Sequence, residues 1–172
     1  VLQVNNTYVN ASSLETSGLD FVTSYKIETD FGSFTPSLNA TYITKYDLMD
    51  PQAGNIDGAG RRNFNNIGVS SPELRANLGL AWKNDIHAAN VFLRYISSYD
   101  DDQNCDDGTA NLGGCAGGFY EVDSHLTVDA QYNIDLGGLY DTEQSYVLTL
   151  GAINMFDEEP PQLFTNRHSA PN

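Results

Sequence analysis

The sequence predicts an all-β fold of long antiparallel strands, each with one apolar and one polar side. Three observations lead to this prediction. Apolar residues alternate with polar ones over stretches of ten to sixteen positions, a period that is typical of strands. Tyr accounts for 10 of the 172 residues and Gly for 15, which favours strands and turns. Short turns alternate with long polar loops, as in an up-and-down sheet.

About seven strands are predicted, and the first of them, over residues 2–10, has the weakest pattern. The others are predicted over residues 19–28, 33–48, 74–83, 87–99, 120–133 and 145–156. No segment has a convincing helical period. Long loops are expected at residues 49–71 and 101–118, and an acidic, proline-containing tail follows residue 156.

Two strands illustrate the pattern. In residues 120–133 every even position from Tyr120 to Tyr132 except Ser124 is apolar, and every odd position is polar. In residues 33–48 the even positions are again the apolar side, which includes Tyr46 and Leu48, whereas Ile43 breaks the pattern. Side chains on alternate positions point to opposite faces of a strand, so each strand is predicted to have one apolar face.

Strand length and aromatic placement favour a membrane over water as the neighbour of this apolar face. Soluble strands average about 5–6 residues, whereas a tilted membrane-spanning strand needs about 9–11. With the short turns placed at one rim, aromatic residues fall near both ends of the apolar side, as in the girdles of outer-membrane barrels. The predicted lower set is Tyr25, Phe34, Trp82, Tyr132 and Tyr146, and the upper set is Tyr42, Tyr46, Tyr95, Tyr99, Tyr120 and Phe156.

These observations predict an antiparallel up-and-down transmembrane β-barrel, present here as an incomplete segment of about seven strands. Bacterial single-chain barrels have even strand numbers, so we expect missing strands before Val1 and at least one after Asn172. The formal net charge of −15 and the pI near 4.1 argue against a nucleic-acid partner, which requires basic patches.

Several segments resemble the later barrel strands of TonB-dependent receptors. The resemblance covers nearly the whole chain in family order, and residues 148–161, LTLGAINMFDEEPP, are its strongest part. The other similar segments are residues 16–21 (TSGLDF), 30–34 (DFGSF), 39–42 (NATY), 75–82 (RANLGLAW) and 94–95 (RY).

The resemblance implies that residues 1–172 are a C-terminal part of a 22-stranded barrel, without its plug domain and closing strand. Such receptors import scarce nutrients (siderophore-bound iron, cobalamin or oligosaccharides) across the outer membrane of Gram-negative bacteria. Their energy comes from the inner-membrane TonB complex through the plug. The implied partners are therefore a small nutrient ligand, the TonB complex through the absent plug, and outer-membrane lipid.

Candidate ligand-binding residues lie in one loop and on the polar side of the strands. Arg61, Arg62 and Phe64 fall in the loop at residues 49–71, where guanidinium groups suit carboxylates or phosphates and an aromatic ring suits stacking. Salt bridges between neighbouring loops are the alternative role for the two arginines. The candidates on the polar side, which could contact ligand or pair with the plug, are Arg75, Arg94, Glu121 and His125.

The loop at residues 101–118 contains Cys105 and Cys115, and at an oxidising cell surface we expect them to form a disulfide. A metal pair is the alternative, but no histidine is near them in sequence. Five acidic residues of this region could bind calcium through carboxylate oxygens, although a solvated loop is the simpler interpretation. These residues are Asp100, Asp101, Asp102, Asp106 and Asp107.

No catalytic role, cofactor or metal site is predicted. Ser124 and His125 are sequence neighbours and point to opposite faces of a strand, so they cannot form a catalytic dyad. The alternative function is a secreted β-sandwich module that binds carbohydrate or acts as an adhesin, with calcium in the acidic loop. A receptor requires the apolar side to contact lipid, whereas this module requires it to pack in a dry core.

Overall fold

The computed structural model describes residues 13–50, 54–62, 70–101, 120–140 and 146–161. Within these ranges the chain forms strands and a single helical turn. In chain order they are β1 (Ser13–Ser24), β2 (Ile27–Thr29), β3 (Gly32–Asp50), β4 (Gly54–Asp57), β5 (Arg61–Arg62), β6 (Leu74–Asn84), β7 (His87–Ile96), β8 (Tyr99–Asp101), β9 (Tyr120–Val122), β10 (His125–Asp135), α1 (Leu136–Leu139) and β11 (Val147–Ala152).

One large sheet dominates the structure. Its strands follow the order β1-β3-β6-β7-β10-β11, and each neighbouring pair is antiparallel. The predicted all-β class and antiparallel pairing are therefore confirmed. β1 and β11 are the two edges of this sheet in the described ranges, where no closed barrel is present.

The strand registers sort the side chains onto two faces. Leu78 lies opposite Leu38 and Leu93, whereas its neighbour Asn77 lies opposite Asn39 and Arg94. We call the first side the apolar face. Its apolar and aromatic members are Leu19, Phe21, Phe34, Pro36, Leu38, Ala40, Tyr42, Leu74, Ala76, Leu78, Leu80, Trp82, His87, Ala89, Val91, Leu93, Tyr95, Leu126, Val128, Ala130, Tyr132, Ile134, Leu148, Leu150 and Ala152.

The opposite side of the same strands, the polar face, consists mainly of amides, hydroxyls and charged groups. Its polar members include Asp20, Thr35, Ser37, Asn39, Thr41, Arg75, Asn77, Lys83, Asn90, Arg94, Thr127, Asp129, Gln131, Asn133 and Thr149. The alternation predicted for residues 74–83 and for the second half of residues 120–133 is confirmed by these registers.

The large sheet is a single layer in the described part of the chain. Ala76 is the one residue of the apolar face that is buried there. Large apolar side chains remain open across the whole width of the sheet, from Leu19 at 67% exposure through Leu78 at 44% to Leu150 at 61%. This apolar face is therefore available for contact with another apolar medium or surface.

The two rims of the sheet differ. The short-turn rim has the β1–β3 connection, the two-residue turn after β6, and α1. Asp135 caps α1 by accepting hydrogen bonds from the backbone of Gly137 and Gly138, and this helical turn was not predicted. The opposite rim, which we call the long-loop rim, has the connections after β3, β7 and β11. None of the helices in the described ranges is long and apolar enough to span a membrane.

A second, three-stranded sheet lies at the long-loop rim and divides two predicted strands. In it β8 pairs with β5 in parallel and with β9 in antiparallel orientation. Because β8 and β9 belong to this sheet, the strand predicted over residues 87–99 breaks at Ser97 and Ser98. The strand predicted over residues 120–133 breaks at Asp123 and Ser124 for the same reason. The first predicted strand, residues 2–10, lies outside the described ranges.

A β-bulge changes the faces of β3. Opposite β1, Gly18 pairs with Ile43 and Ser17 pairs with Lys45, so Thr44 is an extra residue. An extra residue shifts the alternation of the following side chains by one. The prediction that Tyr46 and Leu48 share the apolar face was therefore wrong, because strict alternation does not survive the bulge.

Candidate functional site

A row of four rings crosses the apolar face near the short-turn rim. Phe34 and Trp82 have ring centroids 6.5 Å apart, Trp82 stacks on His87 at 6.3 Å, and His87 stacks on Tyr132 at 5.9 Å. Each ring comes from a different strand, in the order β3, β6, β7 and β10. Phe34, Trp82 and Tyr132 were predicted at this end, but His87 was not assigned to the row.

Three polar atoms of this ring row form hydrogen bonds. The Trp82 indole Nε1 donates to the backbone carbonyl of Phe31 at 3.0 Å. The Tyr132 hydroxyl and the His87 Nδ1 form a hydrogen bond of 2.6 Å. Rings with an apolar body and a satisfied polar end suit the boundary between an apolar and an aqueous region.

Tyrosines also lie on the apolar face near the long-loop rim. Tyr42 lies opposite Leu74, and its hydroxyl donates to the Glu73 carboxylate at 3.3 Å, while Tyr95 lies opposite Leu126. From Phe34 to Tyr42 the strand advances about 26 Å at about 3.3 Å per residue. A strand tilt of about 40° would reduce the height to about 20 Å. This height is comparable to the apolar band of about 25 Å in outer-membrane barrels.

The polar face contains an ion pair that anchors a turn. Arg94 on β7 pairs through Nη2 with Oδ2 of Asp129 on β10. The other Asp129 oxygen accepts a hydrogen bond from the backbone N–H of Asn154 at 2.9 Å. The Asp129 carboxylate thus joins two strands to the chain that follows β11, and a structural role for Arg94 follows directly from these contacts.

The turn after β11 explains the spacing of Asn and Asp in the segment LTLGAINMFDEEPP. Asn154 and Asp157 both adopt positive φ, at 50° and 54°, a region that Asn and Asp enter more readily than most residues. The Asn154 side chain accepts from the backbone N–H of Glu158 and donates to its carbonyl, each at 3.0 Å. Met155 N–H donates to the Val128 carbonyl at 2.8 Å, so the turn closes against β10.

The other candidate residues of the polar face do not converge on one site. Arg75 donates through Nη2 to the carbonyl of Ser70 at 3.4 Å. His125 lies opposite Ile96, and its buried Nδ1 has no hydrogen-bond partner among the described residues. Glu121 is exposed in β9, which belongs to the three-stranded sheet, so its predicted place on the polar face of the large sheet was wrong. These three residues are therefore separate polar groups at or near the long-loop rim, two in the large sheet and one in the three-stranded sheet.

At the long-loop rim, Arg62 forms a salt bridge with a fully buried carboxylate. Its Nη1 lies 3.0 Å from Oδ2 of Asp101, whose side chain is 0% exposed. The ion pair connects β5 to β8, and Val122 and Pro72 are also fully buried. Arg61 lies beside it in the same short strand. We call this group of Arg62, Asp101, Pro72 and Val122 the rim core.

The remaining predicted residues of the loops lie outside the described ranges. They are Phe64, Cys105, Cys115, Asp102, Asp106 and Asp107. Of the five acidic residues considered for calcium, Asp100 and Asp101 are described, and Asp101 faces a guanidinium group. In the part of the chain that the structure describes, no three His, Cys, Asp or Glu side chains form a group that could hold a metal ion.

No protein-family model, curated protein or solved structure matches this chain. Function is therefore argued from the chain's own residues and geometry.

Proposed function

We propose that this chain is a C-terminal segment of the barrel of a TonB-dependent outer-membrane receptor. It contributes membrane-spanning wall and extracellular loops to the uptake of a scarce nutrient, and it has no enzymatic role. One observation carries the membrane part of the proposal. Between the short-turn rim and the bulge of β3, six neighbouring strands present an apolar face that carries no charged side chain, while charges lie on the opposite face of the same strands.

The physical argument is the size of the exposed apolar surface. Soluble monomers rarely expose contiguous apolar patches larger than a few hundred Å². Here large apolar side chains are exposed from Phe21 on β1, at 56%, to Leu150 on β11, at 61%, and those of the strands between them, such as Leu78 at 44%, are also open. In a bilayer this surface contacts acyl chains, and the backbone groups of each strand are satisfied by pairing with neighbouring strands. The ring row and the tyrosines near the other rim support the same orientation.

In this proposal the polar face lines the barrel interior. Arg75 and His125 are then described residues that meet the plug or a passing ligand, and Glu121 meets ligand from the three-stranded sheet at the long-loop rim. Arg61 and Arg62 lie in the extracellular loops, and the rim core holds these loops in place. Siderophore-bound iron, cobalamin and oligosaccharides remain the candidate nutrients, since the resemblance to the receptor family supports all three.

The alternative is a secreted β-sandwich that binds carbohydrate. A sandwich requires a second sheet packed about 10 Å from the apolar face. No such sheet covers the apolar face in the described residues, since the three-stranded sheet lies at the long-loop rim. The membrane proposal accounts for the exposed apolar face without a further layer.

Folding in detergent tests the membrane part of this proposal. The chain is followed by far-UV circular dichroism and Trp82 fluorescence in buffer, in micelles and in lipid vesicles. We expect the strand signal and a blue-shifted Trp82 emission only with micelles or vesicles. A cooperative monomeric β-fold in plain buffer would overturn the membrane proposal and favour the sandwich.

Ligand titration tests the receptor part. The micelle-folded chain is titrated with ferric siderophores, cobalamin and oligosaccharides. If an anionic siderophore is the ligand, Arg75→Gln should weaken binding, whereas Lys83→Gln, near the short-turn rim of the same face, should not. Failure of all three ligand classes would contradict a ligand role for these residues and leave the membrane result intact.

A further inference from the structure

The contacts around the bulge show which way the charged residues beyond it point. β1 runs from Ser13 to Ser24 without interruption, so Glu15 and Ser17 share a face with Leu19. The Ser17 hydroxyl lies 3.0 Å from the Thr44 hydroxyl, and the Lys45 ammonium lies 2.7 Å from Glu15. Thr44 and Lys45 are therefore on the side of the sheet that carries the apolar face.

These residues form a polar group directly beyond the apolar face, which we call the outer collar. It comprises Glu15, Ser17, Thr44, Lys45 and Asp47. Lys45 lies 3.5 Å from the Asp47 carboxylate. Lys45 lies beyond the apolar face. The pKa of its ammonium group is raised, mainly because it donates a hydrogen bond to the Glu15 carboxylate.

Apolar residues take the opposite position beyond the bulge. Leu14 pairs with Leu48, and Leu48 pairs with Ile56 of β4, which is 9% exposed. These three residues lie on the side of the polar face. From Lys45 to Leu48 the β1–β3–β4 ribbon is thus polar outside and mainly apolar inside, the reverse of the sheet below it.

This exchange of the polar and apolar sides is what a strand requires where it leaves the acyl chains of a bilayer and enters the head-group layer. A charged side chain is costly next to acyl chains and is well solvated among head groups or in water. If Thr44 took a regular place in the alternation instead of forming a bulge, Tyr46 and Leu48 would lie on the outside and Lys45 and Asp47 on the inside. From Tyr42 to Met49 the strand advances about 20 Å, at about 3.3 Å per residue when the extra residue of the bulge is not counted. The reversed part of β3 therefore extends well beyond the last tyrosine of the apolar face.

We propose that the bulge at Thr44 sets the outer limit of the surface that contacts acyl chains, and that the outer collar lies in the lipid head-group layer. This inference rests on the proposed membrane function and adds to it the height at which the chain leaves the apolar core. The head-group layer is the partner of the outer collar because it offers charged and hydrogen-bonding groups for its ammonium, carboxylates and hydroxyls.

Depth-dependent quenching tests the proposal on the full chain in phosphatidylcholine vesicles. Trp82→Phe removes the native indole, and single tryptophans are then introduced as Leu38→Trp, Asp47→Trp and Leu48→Trp. Bromines on the acyl chains should quench Leu38→Trp and leave Asp47→Trp and Leu48→Trp unquenched. A nitroxide on the head group should quench Asp47→Trp, and circular dichroism checks that each variant keeps its strand signal.

The outcomes separate this inference from the membrane proposal. If acyl-chain bromines fail to quench Leu38→Trp, the membrane proposal fails. If they quench Leu38→Trp together with Leu48→Trp or Asp47→Trp, the membrane proposal stands and the boundary at the bulge is wrong. Lack of quenching of Asp47→Trp by the head-group nitroxide also overturns the placement of the outer collar.

Discussion

Arginine placed at the middle of the apolar face should destabilise the folded chain far more than arginine on the neighbouring polar position. Leu38 is halfway between Phe34 and Tyr42 on β3 and lies opposite Leu78. Asn39 is the next residue, at almost the same depth, and lies opposite Asn77 on the polar face. Leu38→Arg and Asn39→Arg therefore introduce the same charge at one height on two different sides.

The expected difference follows from the cost of a charge in the bilayer. An arginine at the midplane on the lipid side of a barrel costs about 2–4 kcal/mol. This corresponds to a fall of about 30- to 900-fold in the folding equilibrium constant. Asn39→Arg should change the free energy of unfolding by about 0.5 kcal/mol or less, as for an ordinary surface substitution.

Urea unfolding in lipid vesicles, followed by Trp82 fluorescence, measures this difference. The two variants are compared with the unmodified chain at one pH and salt concentration, so that screening is the same for all three. Equal destabilisation by both variants would refute the assignment of the apolar face to lipid. A large loss of unfolding free energy for Asn39→Arg with none for Leu38→Arg would mean that the polar face, and not the apolar face, contacts lipid.

Three further predictions concern polar contacts, and each is measured by urea unfolding of the vesicle-folded chain unless stated. Asp129→Ala should destabilise it by about 1–3 kcal/mol, and Asp129→Asn by less because the amide oxygen still accepts from Asn154; equal losses would contradict the role of that hydrogen bond. Asp101→Ala should leave Arg62 without its buried partner, at a cost of about 3–5 kcal/mol to the rim core. Limited proteolysis should then cleave the long loops faster while the strand signal persists, and unchanged cleavage would exclude the ion pair as a loop anchor. Trp82→Phe should cost about 0.5–1.5 kcal/mol through its lost hydrogen bond, measured by circular dichroism because Trp82 is the single tryptophan of the sequence, and a neutral result would contradict a stabilising role for that bond.

Much of the large sheet could be predicted because side-chain alternation is a local property of the backbone. A strand exposes successive side chains to opposite faces whatever its partners. Leu78 and Asn77, or Val128 and Asp129, could therefore be assigned to opposite sides of the sheet from the order of residues alone. Short turns and long loops in alternation also indicated that neighbouring strands are antiparallel.

The polar contacts of the candidate site could be predicted only in part. Arg62 had two predicted roles, ligand binding and a salt bridge between loops, and its contact with Asp101 supplies the second. Arg94 and Asp129 are 35 positions apart, and no local pattern specifies that they meet or that Asp129 also binds the backbone of Asn154. His87 was missed for a similar reason, since its stacking partners lie on neighbouring strands.

The sequence by itself therefore determined the all-β class, the antiparallel pairing and the two chemically different sides of most of the main strands. Only the tertiary structure decided the breaks at Ser97 and Ser124, the assembly of the rim core, and the bulge at Thr44. The physical reason is that a bulge exists only relative to a partner strand. One unpaired residue opposite Ser17 reverses the sides of Lys45 and every β3 residue after it, and that residue becomes visible only when β1 and β3 are in register.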